Sequence, residues 1–266
     1  MYAFTLDQPS TLADALAAAG NGAQPLAGGQ TLIASLKQRL MQPGHLVDLG
    51  RIAELGGIRR EGNEIVIGAM TRHQAVADSA EVRAAIPGLA ALAGGIGDRQ
   101  VRAMGTLGGS VANNDPAACY PSAVLGLGAT VVTHRRQIAA DDYFQGLYAT
   151  ALEPGELITA IRFPVPAKAA YAKFRQPASR FALVGVFVAQ TAGGVRVAVT
   201  GAGNGVFRHA GLEQALSRSF TPEAVNGVAI DASELNGDLH ASAEYRAQLI
   251  RVQTREAVAR ATGASA

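Results

Sequence analysis

The chain has 266 residues, a length that suits two domains better than one. Hydrophobic residues make up 48% of it and charged residues 17%, a composition that supports a sizeable core and excludes intrinsic disorder. The net charge of +2 is small, and Lys and Arg are scattered along the chain, which argues against a nucleic-acid or membrane-surface partner.

Alternating short strands and helices are predicted for the first part of the chain. Ser10 is a suitable cap for a helix over residues 11–19, and Gly20 is suited to end it in the left-handed conformation. A strand at 25–27, a helix at 31–40 and a strand at 45–49 follow. These elements predict a compact βαβ-like unit that ends near Gly50.

A second predicted unit begins with a hairpin. Residues 58–60 and 65–67 have the pattern of strands on either side of Gly62-Asn63, a strong turn signal. Helices are predicted at 71–79, 86–93 and 122–127, and strands at 129–133 and 157–163, with a glycine-rich interruption at 94–109. Pro164 and Pro166 end the last strand, so we expect a domain boundary at this point.

The remaining residues predict an α+β domain. Residues 181–191 and 195–200 are expected to form a hairpin across Ala192-Gly193-Gly194. Helices are predicted at 209–217, 222–228 and 242–262.

The chain has a single cysteine, Cys119, which limits the disulfides and metal centres that it can form by itself. One cysteine excludes an internal disulfide, and it cannot hold an iron–sulfur cluster or a structural zinc ion, so any such centre would belong to another chain. No apolar run approaches the roughly 18 residues of a membrane span, and the N-terminus lacks the pattern of a signal peptide. We therefore expect a cytoplasmic protein.

Two adjacent glycines follow the predicted strand at 25–27. The first glycine motif is the run Ala27-Gly28-Gly29-Gln30-Thr31-Leu32, which leads from that strand into a helix. Successive N–H groups in such a turn point the same way and form an anion site, to which the helix N-terminus adds partial positive charge. A diphosphate fits this geometry. An ordinary tight strand–helix turn explains the same glycines equally well.

The second glycine motif, residues 105–113, has the sequence Gly105-Thr106-Leu107-Gly108-Gly109-Ser110-Val111-Ala112-Asn113. We expect it to form a second anion site that closes on the same diphosphate, with Asn113 and Asp115 orienting a ribose or a flavin edge. A surface loop is the alternative. Two such motifs without the lysine of a P-loop favour a dinucleotide over a nucleoside triphosphate.

Together the two motifs resemble the flavin-binding signatures of the molybdenum hydroxylase family. The match is to the medium, FAD-binding subunit of the carbon monoxide dehydrogenase, aldehyde oxidoreductase and xanthine dehydrogenase types. The run Ile67-Gly68-Ala69-Met70-Thr71 resembles a third conserved stretch of that subunit. Residues 173–182 resemble the signature that opens its C-terminal domain. The resemblance spans nearly the whole chain, in the right order and spacing.

This resemblance implies a fold class and a domain plan. The fold class is α+β, with an FAD-binding domain of two subdomains, like that of the vanillyl-alcohol oxidase (PCMH) superfamily, and then an α+β C-terminal domain. We expect the FAD-binding domain at residues 1–164, with subdomains at about 1–50 and 51–164. The C-terminal domain is expected at residues 165–266.

The resemblance also implies a set of cofactor contacts. Main-chain groups of both glycine motifs would hold the diphosphate, and Thr71 would lie near the flavin. Backbone groups at Leu157-Ile158 would contact a ring of the cofactor, and Lys173 or Arg175 would approach the isoalloxazine. The expected FAD-binding residues are Ala27, Gly28, Gly29, Gln30, Thr31, Leu32, Thr71, Thr106, Gly108, Gly109, Ser110, Asn113, Asp115, Leu157, Ile158, Lys173 and Arg175. No residue is expected to act as a catalytic acid, base or nucleophile, or to bind a metal.

Cys119 departs from the family pattern. The family usually has an aspartate at this position, which contacts the FAD ribose, and cysteine is a poor acceptor for a ribose hydroxyl. FAD is then expected to bind less tightly, or another residue to replace that bond. A buried structural role is the commoner fate of such a cysteine.

The function that the resemblance implies is electron relay within an oxidoreductase. A large molybdenum–pterin subunit would act on the substrate, a small subunit with [2Fe-2S] clusters would deliver electrons to FAD on this chain, and NAD, oxygen or a quinone would accept them. The expected assembly is a heterotrimer. One alternative is a free-standing flavoprotein oxidase or reductase of the same superfamily with its own substrate site. A binding module that has lost FAD is the other, and Cys119 alone favours it.

Overall fold

The computed structural model describes residues 1–264, so the last two residues of the expected C-terminal domain lie outside it. The strands are β1 (Thr5–Asp7), β2 (Gln24–Leu26), β3 (His45–Asp48), β4 (Ile58–Glu61), β5 (Glu64–Gly68), β6 (Thr130–Thr133), β7 (Gln137–Ala139), β8 (Phe144–Gly146), β9 (Ala149–Thr150), β10 (Ile158–Pro164), β11 (Lys168–Arg175), β12 (Ala182–Thr191), β13 (Gly194–Thr200) and β14 (Phe207–Arg208). The helices are α1 (Leu12–Gly20), α2 (Leu32–Lys37), α3 (His73–Asp78), α4 (Ala80–Ala85), α5 (Pro87–Gly94), α6 (Arg99–Met104), α7 (Leu107–Asn113), α8 (Tyr120–Gly126), α9 (Ala140–Tyr143), α10 (Ala210–Arg218) and α11 (Ala243–Thr262).

The first sheet is small and parallel, with the order β1-β3-β2. Helix α1 begins one residue later than predicted because Thr11, rather than Ser10, accepts the N–H of Asp14 at 3.2 Å. Helix α2 ends at Lys37, earlier than predicted, and Arg39 takes a left-handed φ of 60° two residues later. The predicted strand–helix alternation of this unit is confirmed.

The second sheet has five antiparallel strands in the order β4-β5-β10-β6-β7. The predicted hairpin at Gly62-Asn63 is confirmed as β4 and β5. The last strand of the unit, β10, lies at the centre of the sheet, where it pairs with β5 on one side and β6 on the other. The apolar side chains of this sheet pack with those of α5, α7 and α8 in the largest core of the protein.

The sequence predicted an interruption at the glycine-rich stretch 94–109, but this stretch is largely helical. It contains α6 and the start of α7, because Asp98 and Thr106 cap them by accepting N–H groups at 2.9 and 3.2 Å. Glycine lowers helix propensity by only about 1 kcal/mol, so tertiary packing overrides it here. A Cβ at Gly108 would lie 2.5 Å from the Ala69 Cβ, so the glycine permits close contact between α7 and the end of β5.

The third sheet is antiparallel, with the order β11-β12-β13-β14. The predicted hairpin is confirmed as β12 and β13, whereas β11 was not predicted. Side chains alternate along β12: Val186 packs with α10 and α11, and Phe187 packs against the core of the second unit. The sheet is therefore buried on both faces, which explains the nearly continuous apolar sequence of β12.

Within residues 1–264, no helix is both long and apolar enough to cross a membrane. The same residues contain no group of three or more His, Cys, Asp or Glu side chains placed to hold a metal ion.

An ion pair between a buried carboxylate, Glu156, and a partly exposed guanidinium, Arg136, fixes the segment that precedes β10. The Glu156 carboxylate accepts the Arg136 guanidinium at 2.9 and 3.0 Å and the Thr133 hydroxyl at 2.7 Å. The Glu156 side chain is 0% exposed, and the hydrogen bonds from Arg136 lower the pKa of this carboxyl to about 2. The β6–β7 turn and the segment at 153–157 are thereby held together.

Replacing Glu156 with Gln tests this ion pair. We expect the free energy of unfolding at pH 7 to fall by about 1–3 kcal/mol, because a buried charge-assisted contact is lost. The folded-state pKa is depressed, so the contribution is present above the unfolded value of about 4.5 and is lost as the pH falls toward about 2. Urea unfolding should therefore show the difference between the two proteins shrinking across that interval.

Glu153→Gln is the matched control, because Glu153 meets the same guanidinium at 3.6 Å but has a side chain that is 58% exposed. Its effect should stay below about 1 kcal/mol. A Glu156→Gln penalty that is equal at pH 7 and at the acid end of the interval would contradict this account of the pair.

Candidate functional site

A cavity of about 800 Å³ brings together segments that are distant in sequence. Its walls come from residues 19–32, 96–119, 148–158 and 173–181, with further contributions from Met41, Leu49 and residues 69–73. This volume lies within the range of roughly 300–1,000 Å³ that is usual for ligand-binding clefts. The cavity contains both glycine motifs and is the candidate functional site.

The first glycine motif presents unused backbone donors to the cavity. Gly29 has a φ of 70°, which turns the chain between β2 and α2. Within residues 1–264, the N–H groups of residues 28–31 donate to no backbone or side-chain acceptor. Four consecutive free amides beside a cavity form a site for an anionic group, because successive N–H donors in such a turn can bind the same anion.

In the second glycine motif, most of the amides are already occupied within the protein. The N–H groups of Leu107 and Gly108 donate to the carbonyls of Thr71 and Ala69, at 3.0 and 2.8 Å. The N–H of Gly109 donates to the Thr106 hydroxyl at 3.2 Å. These three amides are therefore already paired within the protein. What this motif offers the cavity is side chains, since within residues 1–264 those of Ser110 and Asn113 have no hydrogen-bond partner.

The glycines also bring the two motifs into contact. A Cβ at Gly28 would collide with the carbonyl oxygen of Met104 and would lie 2.7 Å from the Cα of Gly105. A Cβ at Gly109 would lie 2.8 Å from the Thr106 hydroxyl and 3.1 Å from the Ala27 Cβ. Larger residues would push the motifs apart and change the shape of the cavity.

Most of the predicted site residues line the cavity, and two do not. Thr71 is buried beside the cavity, where its hydroxyl donates to the Gly57 carbonyl at 3.0 Å. Arg175 is exposed on the end of β11. The predicted residues that line the cavity are Ala27, Gly28, Gly29, Gln30, Thr31, Leu32, Thr106, Gly108, Gly109, Ser110, Asn113, Asp115, Leu157, Ile158 and Lys173.

The backbone of Leu157 is engaged elsewhere, contrary to the expected ring contact. Its N–H donates to Nδ1 of His134 at 3.3 Å, and its carbonyl accepts the N–H of His134 at 3.2 Å. Leu157 therefore faces the cavity without a free amide. Ile158 begins β10 and is buried.

Lys173 and Cys119 lie side by side in the cavity wall. The Lys173 ammonium is 3.3 Å from the Cys119 sulfur, and it also donates to the carbonyls of Gly95 and Arg180 at 2.9 and 3.0 Å. Cys119 is 6% exposed and immediately precedes α8. The thiol that stands where we expected an aspartate thus has a cationic neighbour.

His73 and Tyr148 line the cavity but were not predicted as site residues. Burial lowers the pKa of His73 to about 4, with the Arg102 and Arg72 cations adding to the effect, so this imidazole is neutral at pH 7. Tyr148 has a left-handed φ of 53°, and its hydroxyl donates to Asp115 at 3.3 Å.

The hairpin that carries Tyr148 is anchored from inside the fold. The buried Asn114 amide donates to the carbonyls of Gly146 and Ala149, each at 2.8 Å. Asn114 has a left-handed φ of 45°, a conformation that asparagine tolerates well. The Asn-Asn pair at the end of α7 was the available sequence signal for this contact, but it did not indicate which hairpin would be bound.

The cavity fits an extended dinucleotide such as FAD. The free amides of the first motif match the diphosphate, and the unpaired side chains of Ser110 and Asn113 provide polar contacts nearby. The wall elsewhere is largely apolar and suits ring systems, with Ala69, Met70, Ile96 and Leu152 among its residues.

Comparison with known proteins agrees with this fit. The family described as "FAD binding domain in molybdopterin dehydrogenase" matches residues 2–166. The chain is 39% identical over 285 residues to the carbon monoxide dehydrogenase medium chain of Afipia carboxidovorans, a match that covers 97% of this chain and 96% of the relative. It is 32% identical over 249 residues to the glyceraldehyde dehydrogenase medium chain of Sulfolobus acidocaldarius, covering 88% and 89% of the two chains.

Solved structures show the same architecture. A chain of Cu,Mo-CO dehydrogenase superposes with a TM-score of 0.91 at 37% identity, covering 98% of both chains. A chain of quinoline 2-oxidoreductase from Pseudomonas putida 86 superposes with a TM-score of 0.87 at 26% identity, again covering 98% of both. These matches confirm the expected α+β fold class with its FAD-binding domain. The chain belongs to the FAD-binding medium subunits of the molybdenum hydroxylase family.

Proposed function

We propose that this chain passes electrons from the iron–sulfur clusters of a small partner subunit to an external acceptor, while a large molybdenum–pterin subunit acts on the substrate. The chain itself binds FAD in the cavity of about 800 Å³. When bound, FAD supplies a centre that takes up electrons singly and releases them singly or in pairs. NAD, oxygen and a quinone are the candidate acceptors.

The observation that carries this proposal is the run of free amides at residues 28–31. These amides line the cavity without an acceptor in the protein, and a diphosphate would satisfy them. The glycine at position 28 is needed because its backbone lies directly against Met104 and Gly105. The first motif would thus hold the diphosphate through the main chain, and the second would add Ser110 and Asn113.

The proposed roles of the remaining predicted residues follow from their places in the wall. Ala27, Leu32 and Ile158 would pack on the cofactor, and Asp115 would act together with the Tyr148 hydroxyl. Thr71 would support the second motif, because its carbonyl holds the N–H of Leu107.

We further propose that the domain plan is the one expected from the sequence, with an FAD-binding domain at residues 1–164 and a separate domain after it. The β-sheets support this division. The first sheet ends at Asp48, β10 of the second sheet ends at Pro164, and β11 of the third sheet begins at Lys168.

Partner subunits are proposed because the relatives are parts of complexes. The relatives from Afipia carboxidovorans and Sulfolobus acidocaldarius are medium chains of dehydrogenases, and another, at 32% identity, is a subunit of the 6-hydroxypseudooxynicotine dehydrogenase complex. By this analogy the [2Fe-2S] clusters and the molybdenum–pterin lie on the small and large partners of a heterotrimer.

The proposal is tested by the absorption spectrum of the chain purified alone and then with its two candidate partners. We expect oxidised-flavin bands in both preparations, with about one FAD released by acid per chain. Iron–sulfur absorption should appear only with the partners, and substrate should then bleach the flavin bands. A complex that holds FAD but in which substrate leaves the flavin oxidised would contradict the relay.

Gly28→Ala tests the role of the first glycine motif. We expect FAD affinity to fall about tenfold or more, because the added methyl group displaces backbone that positions the free amides. Gly44→Ala is the matched control, since a Cβ there meets nothing within 4 Å. Fluorescence titration of the FAD-free chain measures both. Equal affinities in the two variants would remove the motif from the binding site.

A further inference from the structure

Three segments of the cavity wall meet at the Lys173 ammonium. It donates to the carbonyl of Gly95 at 2.9 Å, to the carbonyl of Arg180 at 3.0 Å and to the Cys119 sulfur at 3.3 Å. An ammonium has three donors, and all of them are used here. Lys173 therefore joins parts of the protein to one another.

One of these segments is the connection between β11 and β12, residues 176–181, which we call the strap. Ser179, Arg180 and Phe181 of the strap line the cavity, although all three are exposed. Hydrogen bonds within the strap give it a defined shape. The Gln176 side chain accepts the N–H and the hydroxyl of Ser179 at 2.6 and 3.1 Å, and its backbone N–H donates to the Phe181 carbonyl at 2.9 Å.

Few hydrogen bonds hold the strap against the rest of the protein. Within residues 1–264, the hydrogen bonds that leave the strap are the one that the Arg180 carbonyl accepts from Lys173 and one from the Arg180 side chain to the Gly97 carbonyl. The second is 3.4 Å long, beyond the usual range for a strong hydrogen bond, and its donor is an exposed side chain.

The strap is also held in an uncommon backbone conformation at the point of attachment. Arg180 has a φ of 62°, in the left-handed region that non-glycine residues rarely adopt. Such a conformation persists where surrounding contacts stabilise it. The hydrogen bond from Lys173 is made by the carbonyl of this same residue.

We propose that Lys173 is a positioning residue that fastens the strap to the segment at Gly95, beside the cavity, and thereby slows the release of FAD. It acts through the carbonyls of Arg180 and Gly95. Without this ammonium, the strap keeps its internal hydrogen bonds and loses its attachment to Gly95. The inference rests on the assignment of the cavity as the FAD site.

Lys173→Met tests the proposal, and Lys168→Met is its matched control. Both substitutions remove one ammonium from β11, but the Lys168 side chain is exposed and makes no hydrogen bond within residues 1–264. Gln176→Ala is a second variant, which loosens the strap from within and leaves Lys173 intact. Each full-length variant is first checked by thermal unfolding.

Two measurements then follow on each variant. The first is the rate at which bound FAD is released on dilution, followed by flavin fluorescence. The second is the rate of tryptic cleavage after Arg180, with and without FAD. We expect Lys173→Met to release FAD about tenfold faster and to be cleaved about tenfold faster. A tenfold change corresponds to the loss of about 1.4 kcal/mol of the free energy that holds the strap in place. Gln176→Ala should change both rates in the same direction, and Lys168→Met should match the unaltered chain.

The proposal is overturned if folded Lys173→Met releases FAD within twofold of the unaltered chain, or if its strap is cleaved no faster. If Lys173→Met does not fold, Lys173→Gln, which also removes the ammonium, is judged by the same two limits. If the unaltered chain itself binds no FAD, the assignment of the cavity fails. Cleavage of the FAD-free chains then still decides whether Lys173 fastens the strap.

Discussion

The structure of the site depends on the close approach of two backbone segments. Gly28 lies directly against the backbone at Met104 and Gly105, and Gly109 lies against Ala27 and the Thr106 hydroxyl. A side chain at either glycine would separate the segments. Their contact leaves the amides of residues 28–31 facing the cavity without acceptors, while the amides of the second motif support α7. The two motifs therefore have different tasks, one as an anion site and one as its support.

The C-terminal part of the chain completes the cavity. Its sheet is buried on both faces, so it is firmly packed against the core that carries the second glycine motif. Lys173 extends this connection to the cavity wall through Gly95, Cys119 and Arg180. Another part of the wall, at residues 153–157, is fixed by the ion pair of Glu156 with Arg136. Both parts of the wall are thus held by a cationic side chain that joins separate segments.

The sequence predicted those elements well whose turns are set by neighbouring residues. The hairpin at Gly62-Asn63 and the strand–helix turn at Gly28-Gly29 follow from turn chemistry, and the structure has both. The helical start of the second glycine motif was missed, because a threonine cap and packing against Ala69 outweigh the low helix propensity of glycine. The contacts of Lys173 with Gly95 and of Asn114 with Gly146 could not be predicted either, since they join residues 78 and 32 positions apart.

The most direct test of the account is an NMR titration of the isotopically labelled, FAD-free chain with FAD, observing the backbone amides. We predict large downfield shifts for the N–H groups of residues 28–31, because those donors gain the diphosphate as an acceptor. The amides of Leu107 and Gly108 should shift little, since they already donate within the protein. Saturable FAD binding that leaves residues 28–31 unperturbed would contradict the central claim.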